Sequence, residues 1–116
     1  MRKSDLDIVR HILNYCIGIE HSVERFGNDF DIFLSDWDYR NSVCMSLLQI
    51  GELTTKFSPE FMESTKETIE WHKIRSIRNR FAHAYGTTDF EIIWNSISTE
   101  IPLLRRFCEE ELQQNK

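Results

Sequence analysis

Only four glycines and two prolines interrupt this chain of 116 residues. These residues break helices and shape tight turns, so their scarcity leaves long stretches free to run as helix and disfavours a loop-rich β architecture. The apolar residues agree. Leu6, Val9, Ile12, Cys16, Ile19 and Val23 recur at intervals of three and four, which places them on one face of a helix. Ser4 precedes this run as a candidate N-cap, with Asp5 and Asp7 at the positive end of the helix dipole. Gly27-Asn28-Asp29 reads as the stop, after about residue 26.

Phe30, Phe33 and Leu34 suit a short helix or an ordered turn. A second long helix is expected over about 38–57, with Val43, Leu47, Ile50, Leu53 and Phe57 as its core face. Gly51 falls inside it at a cost of about 1 kcal/mol relative to Ala, which suggests that another helix approaches closely there. Ser58-Pro59-Glu60 opens a short helix to about residue 64, with Ser as cap and Pro at the first helical position, and the polar residues 66–68 form a loop. A third long helix should run from Trp71 to about Tyr85 and end at Gly86-Thr87-Thr88. Thr88-Asp89-Phe90-Glu91 has the pattern of a capping box. The last helix then carries Phe90, Ile93, Trp94, Ile97, Ile101, Leu104 and Phe107. Pro102 should kink or split it near Thr99, and the charged tail from Glu109 should fray. The expectation is an all-α, up-and-down bundle of four main helices plus short helices, in one domain spanning 1–116.

A composition of 41% hydrophobic and 28% charged residues suits a soluble globular protein, and no apolar run is long enough for a signal peptide or a membrane span. The formal net charge of −5 argues against nucleic-acid binding over the whole surface and requires any RNA contact to use a local basic patch. Cys16, Cys44 and Cys108 are odd in number and widely spaced, with no C-x-x-C pair, as expected of reduced, buried thiols in a cytoplasmic protein. His11, His21 and His72 lack metal-ligand partners at useful spacing, and no P-loop, dinucleotide fingerprint or G-x-S-x-G elbow is present. Neither a metal nor a cofactor is expected.

One stretch departs from the acidic background. Lys73, Arg75, Arg78 and Arg80 are four cations with no acid among residues 72–85. Charge alone is also explained by a solvated helix face, with cations favoured near a helix C-terminus. The geometry adds more. At about 100° per residue, Ile74, Ile77, Phe81 and Ala84 share a core-facing arc, Arg78 and Tyr85 align at its edge, and Asn79 and His83 share another side. Arg78 and His83 stand about 140° apart on an ideal helix. They converge only if the helix deforms near its end or a second copy places its own motif opposite, so that a twofold dimer lines one cleft with two Arg and two His.

Such a cleft suits RNA cleavage without a metal, because RNA carries its own nucleophile in the 2′-hydroxyl. Histidine is the natural acid or base near neutral pH. Arginine is a permanent, forked cation for the charge that builds on phosphorus. Lys73, Arg75 and Arg80 would extend the patch along the RNA backbone.

At these residues the sequence resembles a known family. Arg78-Asn79-Arg80-Phe81-Ala82-His83-Ala84-Tyr85 looks like the R-x4-H motif, followed by x-Y, of HEPN ribonucleases, and more specifically of the HepT-type toxins paired with MNT nucleotidyltransferase antitoxins. Ile50-Gly51-Glu52, Ser58-Pro59-Glu60, Trp71 with Ile74, the stretch from Asp89 to Trp94, and Pro102 before two leucines resemble further landmarks, so the similarity covers nearly the whole chain. The resemblance implies a HEPN-like, homodimeric bundle with both motifs at the interface and a metal-independent RNA endonuclease toxin of a type VII-like toxin–antitoxin pair. Arg78 and His83 would be its catalytic pair and Asn79 a supporting residue. Tyr85 would be the tyrosine that the cognate nucleotidyltransferase AMPylates, silencing the toxin. Glu70 stands where the family often has proline, and Ala84 where glycine is common, which bears on helix boundaries rather than on chemistry. Two other readings remain: a non-catalytic helical partner or substrate of a nucleotidyltransferase, and a structural helical domain in which the motif has no catalytic role.

Overall fold

The computed structural model describes residues 2–82 and 87–115, with residues 81, 82, 87 and 88 described in their backbone only. It contains six helices: α1 (Lys3–Phe26), α2 (Phe30–Ser35), α3 (Trp37–Thr54), α4 (Pro59–Thr65), α5 (Trp71–Ala82) and α6 (Thr87–Gln114). The described residues include no strand. The long helices close a ring, α1 packing on α3 and α6, and α5 on the other sides of α3 and α6. This is the all-α, up-and-down bundle that the sequence implies, with α2 and α4 as the short helices.

The core follows the helical period. Val9, Ile12, Cys16 and Ile19 of α1 meet Val43, Leu47 and Ile50 of α3, Ile74 and Ile77 of α5, and Ile93, Ile97, Ile101 and Leu104 of α6. Two aromatic clusters lie within this core. In one, Phe33 and Tyr39 pack edge to face at 5.3 Å beside Phe26 and Trp94, and the Tyr39 hydroxyl donates to the Gly27 carbonyl at 3.0 Å. In the other, Phe57, Phe61, Trp71 and Phe107 gather around the start of α5.

The expected boundaries hold at Gly27 and Ser58. Gly27 ends α1 at φ 120°, a conformation that costs glycine little, and its N–H bonds the Val23 carbonyl. Ser58 caps α4 by accepting from the Phe61 N–H at 3.2 Å. Other details differ from expectation. Ser4 lies inside α1, which starts at Lys3 after an extended Arg2 with no side-chain cap. Asp5 does not face solvent at the helix dipole: it is buried, with its two carboxylate oxygens accepting from the backbone N–H and hydroxyl of Ser58 at 2.8 and 2.7 Å. A tertiary partner thus outcompetes local capping. Helix α3 stops at Thr54 rather than near Phe57, where the Thr54 and Thr55 hydroxyls bond back to the Gly51 and Glu52 carbonyls, although Phe57 is buried as expected. Thr88 does not precede the last helix, because α6 already includes Thr87.

Pro102 does not split α6, which runs unbroken to Gln114. The proline is exposed while Ile101 and Leu104 beside it are buried, so core packing holds the helix on both sides of the lost hydrogen bond. The same packing extends into the tail: Glu111 and Leu112 are half-buried and Asn115 bonds the Glu111 carbonyl at 2.8 Å. The three cysteines are free and buried, and loss of hydration pushes the Cys16 and Cys44 thiols up to about 12 and Cys108 in the same direction. No helix among the described residues is long and apolar enough to cross a membrane.

Candidate active site on α5

Helix α5 is fixed at its start by Trp71. The indole is buried against Phe57, Phe61 and Phe107, and its Nε1 donates to the Thr65 hydroxyl at 2.9 Å. Ile74 and Ile77 continue the buried face one and two turns on. The opposite face carries His72, Lys73, Ser76, Asn79 and Arg80, all exposed.

Between these faces α5 meets α3 at Gly51. A Cβ built on Gly51 would lie 2.6 Å from Cβ, 3.1 Å from Cδ and 3.3 Å from Cγ of Arg78. The glycine expected to admit a close helix does so, and the residue it admits is Arg78. The arginine stem lies along the α3 backbone, and its Nη2 forms an ion pair with Oε1 of the next α3 residue, Glu52. Both side chains remain accessible, at 39% and 43%.

Each of the other cations also meets an acceptor from elsewhere in the chain. Arg75 turns inward, its Nη2 donating to the Thr54 carbonyl at the C-terminus of α3 at 3.2 Å, while its buried Nε has no hydrogen-bond partner among the described residues. Arg80 pairs with Asp89 at 3.2 Å, joining α5 to the first turn of α6. Lys73 lies 3.6 Å from Glu70 and 3.7 Å from Glu100. Lys73 and Arg80 also edge a cleft of about 210 Å³ between α5 and α6, floored by Ile77 and Ile93 with Ser76 and Ser96 alongside. Exposed or half-exposed pairs of this kind contribute about 1 kcal/mol or less each, so another anion can displace the carboxylate at small cost.

The structure therefore brings Arg78, Asn79 and Arg80 together on the last described turns of α5, and turns Arg75 towards α3. His83 and Tyr85 lie outside the described residues. His11, His21 and His72 are exposed, as expected. Among the described residues, no three His, Cys, Asp or Glu side chains converge where they could hold a metal ion. Sequence reasoning missed Glu52 as the partner of Arg78. Its adjacency to Gly51 was the available signal, but the sequence did not say which helix crosses there.

Comparison with known proteins follows this geometry. The family described as ribonuclease HepT-like matches residues 5–111. A protein of Caldanaerobacter subterraneus subsp. tengcongensis, named as a candidate RNase, is 32% identical over 115 residues, covering 98% of this chain and 99% of its own length. A Methanocaldococcus jannaschii protein, also named as a candidate RNase, is 30% identical over 79 residues, or 66% of this chain and 64% of its own. A candidate HepT ribonuclease of Thermococcus cleftensis is 28% identical over 85 residues, covering 72% of this chain and 76% of its own. No solved structure matches at comparable significance.

Proposed function

The chain belongs to the HepT-like ribonuclease family, and from that premise we propose that it is a metal-independent RNA endonuclease whose site pairs Arg78 of one protomer with His83 of a second in a homodimer. The seat of Arg78 carries this reading. A guanidinium whose stem is pressed onto α3 by Gly51, yet whose head is accessible and only ion-paired to Glu52, is preorganised for a phosphate.

The reaction needs no group outside RNA and protein. The 2′-oxygen attacks the adjacent phosphorus and the bond from phosphorus to the 5′-oxygen breaks, leaving a 2′,3′-cyclic phosphate and a 5′-hydroxyl. His83 takes the 2′-hydroxyl proton or, in its protonated form, supplies the one the leaving oxygen receives. Arg78 neutralises the charge on the phosphorane oxygens. Asn79, exposed one residue along, helps orient the pair. Lys73 and Arg80 are assigned to RNA backbone contacts from the exposed face of α5, whereas Arg75, expected to join them, is turned to the Thr54 carbonyl.

The same reading makes the protein the cytoplasmic toxin of a toxin–antitoxin pair. A cognate nucleotidyltransferase transfers AMP from ATP to the Tyr85 hydroxyl with release of pyrophosphate. The phosphorylated adduct repels RNA phosphate and occupies the nearby cation. Tyr85→Phe should then gain no mass on treatment with that enzyme and ATP, and should stay active.

The direct test is RNA cleavage in the presence of a chelator by wild type and His83→Ala, side by side. Wild type should cleave and the variant should not, with the same thermal midpoint. Equal cleavage by both contradicts the site. Inactivity of both favours the alternative, a non-catalytic partner of a nucleotidyltransferase.

A further inference from the structure

We propose that Glu52 is a positioning residue for cleavage, aiming the Arg78 guanidinium rather than merely balancing its charge; this rests on the reading of Arg78 as the catalytic cation. The two residues are supplied by different helices and meet where α5 packs on α3 at Gly51. Gly51 leaves the space that the Arg78 stem occupies beside α3: a methyl added there would lie 2.6 to 3.3 Å from its Cβ, Cγ and Cδ, so α5 brings this side chain close to the α3 backbone. What remains free is the planar head. Glu52, next to that glycine on α3, forms an ion pair with it, Nη2 to Oε1.

A guanidinium carries five N–H donors on three nitrogens in a rigid fork. With Nη2 paired to Glu52, the Nη1 and Nε edges are assigned to the phosphate and their direction to the carboxylate. Glu52 thus resembles the orienting acid behind a catalytic base: it touches neither substrate nor reacting atoms, and it fixes the group that does. It stays 43% accessible, so it sits at the rim of the site. There its negative charge also opposes the approach of RNA.

Those two effects have opposite signs, which makes the role measurable. Losing the aim weakens the transition state, while losing the charge strengthens ground-state binding of a polyanion. Glu52→Gln should therefore lower kcat by about 10- to 100-fold, the scale of misplacing one catalytic group. KM for cleavable RNA, and Kd for a 2′-O-methyl RNA that cannot be cleaved, should stay the same or fall. Glu52→Asp, which keeps the charge one methylene back, should recover part of kcat. Thermal midpoints should match wild type for both variants.

The measurement is kcat and KM for wild type, Glu52→Gln, Glu52→Asp and Arg78→Ala on one RNA, with Kd on its 2′-O-methyl form. Unchanged kcat in Glu52→Gln overturns the proposal. So does a rise in kcat together with tighter binding, which makes Glu52 an inhibitory competitor for Arg78. A fall in kcat with a lowered thermal midpoint and weaker binding assigns Glu52 to the scaffold and overturns it too. An inactive wild type, or an active Arg78→Ala, refutes the ribonuclease site itself and is separable from all of these.

Discussion

The two ends of α5 are held by opposite means. At its start, Trp71 is buried among Phe57, Phe61 and Phe107, with its one polar atom satisfied by Thr65. Near its other end, Arg78 and Arg80 are tied to neighbouring helices by accessible ion pairs with Glu52 and Asp89. Aromatic burial is worth several kcal/mol and does not exchange with solvent. A surface ion pair is worth little and exchanges with any anion. One end therefore fixes where the helix lies, and the other keeps cations aimed but available.

The contrast breaks most visibly at Trp71. Trp71→Ala should cost about 3–5 kcal/mol, enough to lower the thermal midpoint sharply or unfold the chain, whereas Arg78→Ala should change stability by less than about 1 kcal/mol while abolishing RNA cleavage. Circular dichroism melts beside cleavage assays decide this, and a stable Trp71→Ala would remove the anchor from the account. The next effect belongs to the point where the two modes meet. Gly51→Ala puts a methyl 2.6 Å from the Arg78 Cβ, so α3 and α5 must separate. That should cost about 1–3 kcal/mol and depress cleavage, because Arg78 moves with α5; wild-type activity and melting in this variant would mean the contact is loose. Ser58→Ala leaves one oxygen of the buried Asp5 without its hydroxyl partner, which should cost about 1–3 kcal/mol with cleavage unchanged once folded. A chemical denaturation midpoint measures the first part and a cleavage assay below it the second. Smallest is Arg80→Ala, which should shift stability by less than about 1 kcal/mol and reduce the salt slope of RNA affinity by about one. An unchanged slope would detach Arg80 from the RNA.

Much of this contrast is legible in the sequence, and unevenly. The helical period located all four long helices and most of the core, because apolar burial is written at fixed spacing, but it passed over the buried Ile8, Tyr39, Phe61 and Ile69. Gly51 announced a close helix approach. The caps were read less well: Ser4 and Thr88 have capping chemistry yet stand inside helices, while Asp29 and Asp36 cap α2 and α3 by accepting from Ile32 and Tyr39 N–H groups. Capping depends on where the chain turns, which is decided by packing between distant segments, as the pairing of Asp5 with Ser58 shows. Pro102 was overread because local propensity ignores the core packing that carries α6 through it. On the site, the cluster of cations was visible while their partners were not. Glu52, Asp89 and Glu100 reach them from other helices, and only the fold brings those residues near.

The central claim is that Arg78 and His83 act together across two protomers, and a mixing experiment addresses it most directly. Arg78→Ala and His83→Ala, each inactive alone, are co-expressed so that mixed dimers form, and metal-free RNA cleavage is measured. In a mixed dimer one of the two Arg–His pairs across the cleft stays intact, and about half of the dimers are mixed, so activity should return to about a quarter of wild type. Cleavage that stays at the level of either variant alone, with mixed dimers demonstrably present, would contradict the composite site.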